Sequence, residues 1–285
     1  MGTVKCQTVA GILDELVPKR LAESWDNVGL LVGDGKQKIN RVMVCLDAPE
    51  WVVEEAIDKD VDMIISHHPM IFNGIKRITS DTATGRKLLN LIKNNIAMYS
   101  LHTNYDIVAG GLNDIFAREL GFLNAKVIKE MLKAHPYEEA AYDIYETKNE
   151  GQVMGLGRIA ELENETTLSL YADNVKTLLG ADHISFAGDP DRRIKKVALL
   201  NGSGNKFIND ARFAGADVLV TGDMQYHGIL DALEMGLCVI DAGHYATEKI
   251  MIKYVTEYLK DKFHELKFDV DVIESNKNTE ILRVL

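Results

Sequence analysis

Short apolar runs alternate with amphipathic stretches over the first 120 residues of the chain. Apolar positions at helical spacing predict a first helix within residues 8–23, which Pro18 ends or kinks. The pattern then predicts strands and helices in turn at 41–46, 50–58, 61–66, 85–94, 96–101 and 112–120. Strand–helix–strand alternation of this kind is typical of a largely parallel sheet.

The same alternation returns in the second half of the chain. It predicts strands at 196–200, 218–221 and 237–240, and helices at 206–214, 228–235 and 247–260. Between the halves the pattern changes, with a short helix at 130–133, a strand at 141–145 and a glycine-rich connection at 151–157. We therefore expect an α/β protein with two lobes and a boundary near residue 122.

Composition and charge limit the classes of function. The 285 residues include 46% hydrophobic and 26% charged residues, as in ordinary globular proteins, and the formal net charge is −11. Such a surface repels phosphate backbones, so general nucleic-acid binding is not expected. An anionic substrate would need a local positive centre, which metal ions would provide.

Cysteine usage and hydropathy indicate the compartment. The three cysteines are far apart and form no CxxC pair, which argues against a disulfide framework and a zinc ribbon. No apolar run approaches the roughly 20 residues that a membrane span needs, and the start of the chain does not resemble a secretory signal. We expect a cytoplasmic protein without membrane contact.

Three polar clusters each follow a predicted strand. They are Ser66–Pro69 (SHHP), His102–Asp106 (HTNYD) and Gly243–Glu248 (GHYATE). Ligands of open α/β sheets bind outside the carboxyl ends of the strands, and parallel strands place those ends at one edge. We therefore expect these clusters to converge on a site at the carboxyl ends of the strands.

The residue types in these clusters suit two divalent metal ions. Imidazoles bind Zn, Fe, Ni or Mn, and carboxylates bind or bridge such cations. His67 and His68 are adjacent, so their side chains point apart in an extended segment and favour two ions about 3.5–4 Å apart over one. His244 and Glu248 are four residues apart at a helix start and share one face. Each cluster alone has a plainer explanation, such as a capped loop or a helix-surface contact, but three clusters behind three strands favour the metal site.

Other residues keep two interpretations. Gly202, Ser203 and Gly204 open a helix and could bind a cofactor phosphate through backbone N–H groups, although a plain turn explains them equally well. Asp223 and His227 could orient a ligand or move a proton, or they could be a helix cap and a surface histidine. Trp25 and Trp51 are expected in the core or at an interface.

The chain resembles the NIF-three-like family, whose bacterial members are often labelled GTP cyclohydrolase I type 2 homologues. The stretches that carry the resemblance span nearly the whole chain: WDNVGLLVG (25–33), ISHHPMIF (65–72), SLHTNYD (100–106), AHPYEEAAYDIY (134–145), GLGRI (155–159), NGSG (201–204), ADVLVTGDMQYH (216–227) and DAGHYATE (241–248).

The resemblance implies a metal site and an architecture. It places the ligands of two divalent ions on His67, His68, Asp106, His244 and Glu248, with Glu248 bridging, and makes His102 an extra ligand or a proton shuttle. It implies two interlocked α/β lobes, residues 1–122 with 243–285 and residues 123–242, in a ring-shaped homohexamer built as a trimer of dimers. Some relatives carry a PII-like insert, and residues near 130–145 resemble its end but are too few for a complete one.

Three functions follow as hypotheses. The first is a dinuclear-metal hydrolase in which hydroxide adds to C8 of the guanine ring of GTP and formate leaves, with His102 or His227 carrying protons. The second is a metal-dependent phosphoesterase with the same centre. The third is a metal-binding regulatory or metal-handling ring protein without turnover. The first two predict a small-molecule substrate such as a nucleotide.

Overall fold

Two β-sheets with helices packed on them form the described part of the chain. The computed structural model describes residues 4–130 and 153–284. The expected α/β class is confirmed. The predicted helix at 130–133 lies, apart from Glu130, outside the described residues. So do the predicted strand at 141–145 and almost all of the motif near 130–145 that resembles a PII-like insert.

The described strands and helices are as follows. The strands are β1 (Gly29–Val32), β2 (Arg41–Cys45), β3 (Met63–Ser66), β4 (Ala97–Ser100), β5 (Lys126–Glu130), β6 (Gly155–Thr167), β7 (Ser185–Ala187), β8 (Arg193–Ser203), β9 (Val218–Gly222), β10 (Cys238–Asp241) and β11 (Asp271–Glu274). The α-helices are Cys6–Leu16, Glu50–Asp58, Ala83–Lys93, Thr103–Ile107, Leu112–Glu119, Leu168–Leu179, Ile208–Phe213, Tyr226–Glu234, His244–Glu248 and Ile250–Glu265. Short 3-10 turns lie at Lys19–Leu21 and Asn205–Phe207.

The first compact unit comprises Met1–Tyr105 and Met251–Thr279. Its five-stranded sheet has the order β1-β4-β3-β2-β11, and only the β1–β4 pairing is antiparallel. Because β2, β3 and β4 are parallel neighbours, their carboxyl ends lie side by side at one edge. The helices Glu50–Asp58 and Ala83–Lys93 contribute buried apolar residues to the cluster that packs on this sheet.

Helix ends in this unit follow from the local sequence. The first helix ends at Leu16, two residues before Pro18, because a residue that precedes proline avoids the helical conformation. Thr82 caps the helix Ala83–Lys93 by accepting a hydrogen bond from Gly85 N at 3.0 Å.

The segment after β11 fixes the end of β2. The side-chain oxygen Oδ1 of Asn278 accepts hydrogen bonds from the backbone N–H groups of Leu46 and Asp47. The buried carboxylate of Glu55 accepts from Ser275 Oγ at 2.6 Å and from Asn276 N at 2.9 Å. These bonds hold the backbone on which Asp47 stands.

The second compact unit comprises Asp106–Ile250 and Glu280–Leu285. Its six-stranded sheet has the order β5-β6-β8-β9-β10-β7, with a parallel centre of β8, β9 and β10 and antiparallel pairings outside it. Alternate residues of β8 belong to different cores, since Val197 and Leu199 join one apolar cluster and Ala198 and Leu200 the other. Both faces of this sheet are therefore covered.

A buried ion pair ties this sheet to a helix. The guanidinium of Arg158 on β6 is almost fully buried and donates to both carboxylate oxygens of Asp114 on the helix Leu112–Glu119. It also donates to the backbone oxygens of Gly155 and Gly157 at 2.9 Å each. A buried guanidinium with this many partners is well compensated.

Several elements differ from the sequence expectations. The helix predicted at 247–260 is divided at Lys249 into His244–Glu248 and Ile250–Glu265. The glycine-rich connection gives way to β6 at Gly155, and β5, β7 and β11 were not expected at all. The division into residues 1–122 with 243–285 and residues 123–242 rests on the residue pattern and on the family resemblance, and it stays a prediction.

Candidate metal centre

Three imidazoles of the first unit lie together at the carboxyl edge of its sheet. His67 and His68 follow β3, and His102 follows β4 after one residue. One ring nitrogen from each of the three lies within 4.8 Å of the others. The ring centroids are 5.0 Å apart for His67–His68, 5.2 Å for His67–His102 and 5.7 Å for His68–His102. The strand ends thus bring together donors that are 35 residues apart in sequence.

Backbone contacts fix the turn that carries two of these histidines. The N–H groups of His67 and His68 both donate to Leu46 O at 3.1 Å. Ser66 Oγ donates to His68 O at 2.7 Å and lies 3.0 Å from Ser100 Oγ. The end of β3 is therefore tied to both neighbouring strands, and its two imidazoles stand on a rigid segment.

Carboxylates orient two of the three imidazoles. His68 Nδ1 lies 2.8 Å from Asp47 Oδ1, and His102 Nδ1 lies 2.8 Å from Asp26 Oδ1. A carboxylate at Nδ1 selects the tautomer with the proton on Nδ1 and leaves the lone pair of Nε2 for a cation. Carboxylate–histidine pairs of this kind are what metal-binding histidines commonly have.

The Asp26 carboxylate is held ionised in a buried position. Burial alone would raise its pKa, but hydrogen bonds from His102 and Thr103 and the charge interaction with His102 lower that pKa to about 2. Its Oδ2 accepts from both the backbone N–H and the hydroxyl of Thr103. Asp26 therefore stays an acceptor for His102 across the physiological pH range.

Two carboxylates of the second unit share one amide donor. Asn201 Nδ2, near the end of β8, donates to Asp106 Oδ1 at 2.8 Å and to Glu248 Oε1 at 3.2 Å. Glu248 and Asn201 are buried. Within the described part of the chain, Asn201 Oδ1 is a buried acceptor without a hydrogen-bond partner. One neutral side chain thus holds two like-charged groups together.

His244 completes the second set of donors. It begins the helix that Glu248 ends, and its Nε2 lies 3.0 Å from Glu248 Oε2. Its Nδ1 lies 2.8 Å from Asp223 Oδ2, and Asp223 directly follows β9. The orientation matches that of His68 and His102, with Nδ1 on a carboxylate and Nε2 at the site.

The glycine-rich turn makes room for the side chain of Glu248. Gly202 has a φ of +65°, and a Cβ there would lie 2.4 Å from Glu248 Oε1. Its N–H donates to Thr247 Oγ1 at 3.0 Å, and Gly204 N–H donates to Gly222 O at 3.3 Å. The predicted phosphate contact with Gly202, Ser203 and Gly204 stays a prediction, but two of its three backbone donors have protein partners.

Other residues singled out in the sequence lie at the surface. His227 is exposed at the start of the helix Tyr226–Glu234, with its ring 5.4 Å from that of Tyr226. Its role in proton transfer stays a prediction. Of the two expectations for Trp25 and Trp51, a core position is wrong, since these side chains are 56% and 47% exposed, and an interface position stays a prediction.

Three polar residues of these sets escaped the sequence analysis as site residues. Asp47 follows β2 after one residue, as His102 follows β4, so the same rule about strand ends would have found it. Asn201 directly follows the predicted strand at 196–200, so the rule would have found it as well. Asp26 precedes β1, and only the fold brings it to His102.

The donor chemistry of both sets fits divalent cations. The first set offers imidazoles, and the second offers carboxylates with one imidazole, which together are the ligands that Zn, Fe, Mn and Ni accept. A family model described as Duf34/NIF3 (NGG1p interacting factor 3) matches residues 4–281 of this sequence. The chain belongs to the Duf34/NIF3 family. The resemblance seen in the sequence is thereby confirmed.

Relatives and solved structures agree with this membership. The chain is 38% identical over 274 residues to a GTP cyclohydrolase 1 type 2 homolog of Clostridium perfringens, covering 96% of this chain and 97% of that protein. It is 33% identical to the Bacillus subtilis protein of the same name, covering 97% and 98%. That alignment runs over 365 residues, so the B. subtilis relative contains residues that this chain lacks.

The fold also matches a solved member of the family. The structure of a Bacillus cereus protein related to NIF3 superposes with a TM-score of 0.90 at 29% identity, and each chain is covered completely. In residues 4–130 and 153–284 no helix combines the length and apolarity needed to cross a bilayer.

Proposed function

We propose that this chain is a hydrolase that works with two divalent metal ions and acts on the guanine ring of GTP or a related small molecule. The observation that carries the proposal is the repeated carboxylate–imidazole pair at His68, His102 and His244, each with Nδ1 2.8 Å from a carboxylate oxygen. A histidine that only packs in the structure does not need a carboxylate at Nδ1, whereas a metal-binding histidine commonly has one there. The name of the curated relatives supplies the substrate class.

The ligands in this proposal are His67, His68, Asp106, His244 and Glu248. Bound divalent ions would supply Lewis acidity and lower the pKa of water toward ~7, so that a nucleophile is available at neutral pH. Asp47 and Asp223 accept the Nδ1 protons of His68 and His244 in this proposal, so that Nε2 is the atom that faces the metal. Asn201 holds Asp106 and Glu248 in place. We propose that both sets of ligands serve one centre.

His102 stands in the same donor group as His67 and His68 and has the same orientation as a ligand. The proposal therefore gives His102 contact with the metal or with the substrate at Nε2, while Asp26 holds its Nδ1 proton. A group that remains in hydrogen-bond reach of the reacting atoms can also pass a proton to the leaving nitrogen of an opened ring. The exposed His227 is the second candidate for that transfer.

The proposal includes an assembly and a location. The family resemblance supports a ring-shaped homohexamer made as a trimer of dimers, and the sequence supports a cytoplasmic protein with a small-molecule substrate. The net charge of −11 makes a local cationic centre the natural place for an anionic nucleotide.

The test combines metal analysis with an activity assay. Protein purified without added metal is analysed for bound Zn, Fe, Mn and Ni, and is then loaded with each metal and incubated with GTP. We expect about two ions per chain, and formate release with formation of a fluorescent pterin. The matched control is Glu248→Gln, which keeps the size of the side chain but removes its charge. Equal formate from wild type and this variant would refute the cyclohydrolase.

Two other outcomes point to the remaining hypotheses. Release of phosphate from phosphoesters without formate would identify a metal-dependent phosphoesterase. Readily exchanging metal without turnover of any nucleotide would favour a metal-handling or regulatory protein. His68 and His244 are partly exposed, which is the observation that keeps this last function open.

A further inference from the structure

Two exposed aromatic side chains stand next to the histidines of the first unit. Trp25 is 56% exposed and Phe72 is 47% exposed, although both are large and apolar. Their ring centroids are 5.8 Å apart and the ring planes are inclined by 51°. Adjacent aromatic rings that face solvent are a feature of surfaces that bind a ligand.

Both rings also contact the imidazole of His102. Its centroid lies 6.1 Å from Trp25 and 6.4 Å from Phe72, and both contacts are edge-on with interplanar angles of 79° and 76°. The aromatic pair is therefore continuous with the donor group formed by His67, His68 and His102. A molecule that reacts at Nε2 of His102 would have these rings beside it.

Three consecutive residues, 25–27, fix the positions of the two rings and the imidazole. Trp25 provides a ring, and Asp26 binds His102 Nδ1 at 2.8 Å. Asn27 Nδ2 donates to Ile71 O at 2.6 Å, next to Phe72 in sequence. The turn at residues 25–27 thus connects one ring to the imidazole and to the loop that carries the other ring. Such preorganised rings bind a flat ligand with little loss of conformational freedom.

We infer that Trp25 and Phe72 form an aromatic platform that binds the planar heteroaromatic ring of the substrate beside His102. The inference rests on the proposed function for the identity of the reaction, but the platform itself is a binding site that can be measured without turnover. Every nucleobase has a flat π-face, so stacking selects a planar ring over an aliphatic group of the same size. Continuity with the histidines favours a small ligand over a second copy of the chain.

Fluorescence of Trp25 tests the platform directly. The chain has two tryptophans, so Trp51→Phe leaves Trp25 as the single reporter. We expect guanosine to change its emission in a saturable way, with and without metal, and ribose 5-phosphate to leave it unchanged. Equal responses to both compounds, or a response that does not saturate with guanosine, would overturn the inference.

Variants test whether the rings carry the affinity. In equilibrium dialysis with guanosine we expect Trp25→Leu and Phe72→Leu each to weaken binding roughly tenfold or more, the usual loss when a stacked ring is removed. Trp25→Phe should restore most of it, because a ring remains. Trp51→Leu is the matched control, since Trp51 is similarly exposed and its indole N–H donates to Lys277 O.

Two readouts separate the platform from the proposed function. Metal content should be the same in Trp25→Leu and wild type, so loss of guanosine binding with normal metal content supports the platform. If wild type binds guanosine but neither metal nor GTP turnover is found, the platform stands and the proposed function fails. If neutral acrylamide fails to quench Trp25 in the ligand-free Trp51→Phe variant, a second copy covers the rings and the platform is refuted.

Discussion

The two sets of candidate ligands are built in opposite ways. In the first unit, the candidate ligands are imidazoles, and the carboxylates of Asp26 and Asp47 pair with two of them. In the second unit, the anions Asp106 and Glu248 form most of the site and a neutral amide, Asn201, stands behind them. The imidazoles of the first set follow β3 and β4, and Asn201, Asp223 and His244 lie at or behind the ends of β8, β9 and β10.

This difference shows what each set requires from its supporting residues. An imidazole that binds a metal needs its proton on the other ring nitrogen, and a carboxylate hydrogen-bonded to that nitrogen favours this tautomer. Two carboxylates that face one site repel each other, and a shared N–H donor reduces that repulsion without adding charge. His244 belongs to the second set, but like His68 and His102 it is paired with a carboxylate, that of Asp223. The type of supporting residue therefore depends on whether the candidate ligand is an imidazole or a carboxylate, and not on the unit in which it lies.

The largest effect is expected when a ligand of the second set loses its charge. Glu248→Gln should lower metal affinity by more than the roughly 10–100-fold that is typical for an outer-shell partner. Glu257→Gln is the control, because Glu257 is an exposed carboxylate of the helix Ile250–Glu265. Isothermal titration calorimetry of the metal-free protein with Zn²⁺ measures the affinity of each variant. An unchanged affinity in Glu248→Gln would remove Glu248 from the ligands.

A matched pair of variants compares the two sets directly. Asp47 and Asp223 are each about half exposed, and each lies 2.8 Å from the Nδ1 of one histidine. We expect Asp47→Asn and Asp223→Asn each to weaken metal binding by roughly 10–100-fold, because the amide no longer fixes the tautomer. If only one variant changes the affinity, the other set does not bind metal. If either single variant loses both ions together, the sets serve one centre.

Asn201 tests the role of the neutral amide. Asn201→Asp replaces the shared donor with a third anion, so we expect the metal-free protein to lose about 1–3 kcal/mol of its free energy of unfolding. Added Zn²⁺ should recover much of this loss by compensating the charge. Denaturant unfolding without and with Zn²⁺ measures the loss of stability and its recovery. A variant as stable as wild type without metal would show that Asp106 and Glu248 do not depend on Asn201.

The smallest effect concerns pH and the buried ion pair of Asp114 and Arg158, neither of which is a candidate ligand. Burial alone would raise the pKa of Asp114, but the hydrogen bond and charge of Arg158 lower it below its ordinary 3.8. A lowered pKa stabilises the folded state above the ordinary value, and this stability is lost as pH falls through the lowered value. The free energy of unfolding of Asp114→Asn should therefore depend less on pH in that acidic range.

A surface ion pair is the control for this pH effect. Glu50 binds Arg86 at 2.6 Å, and its pKa is also lowered, by hydrogen bonding to Arg86 in the first place. Because this pair is solvent-exposed, Glu50→Gln should change the acid dependence of stability less than Asp114→Asn does. The opposite ranking would mean that burial of Arg158 does not strengthen its ion pair.

Hydrophobic patterning was sufficient for the α/β class and for most strands that carry site residues. β2, β3, β4, β9 and β10 are short apolar runs that end at polar residues, so both the strands and the residues behind them could be read locally. Hydrophobic patterning does not predict β5, β6, β7 and β11, because their burial patterns include many exposed or intermediate positions. Strands with mixed exposure lack a clear apolar signal.

The sequence by itself determined which chemistry is available: imidazoles and carboxylates directly behind strands, in a chain without a basic surface. Only the tertiary structure decided which residues orient them, because Asp26 reaches His102 across 76 positions and Asn201 reaches Asp106 across 95. It also placed Trp25 at the surface beside His102, where hydrophobicity alone predicted a core or interface residue. Local sequence encodes residue type and backbone preference, whereas the partner of a polar side chain depends on which strands become neighbours.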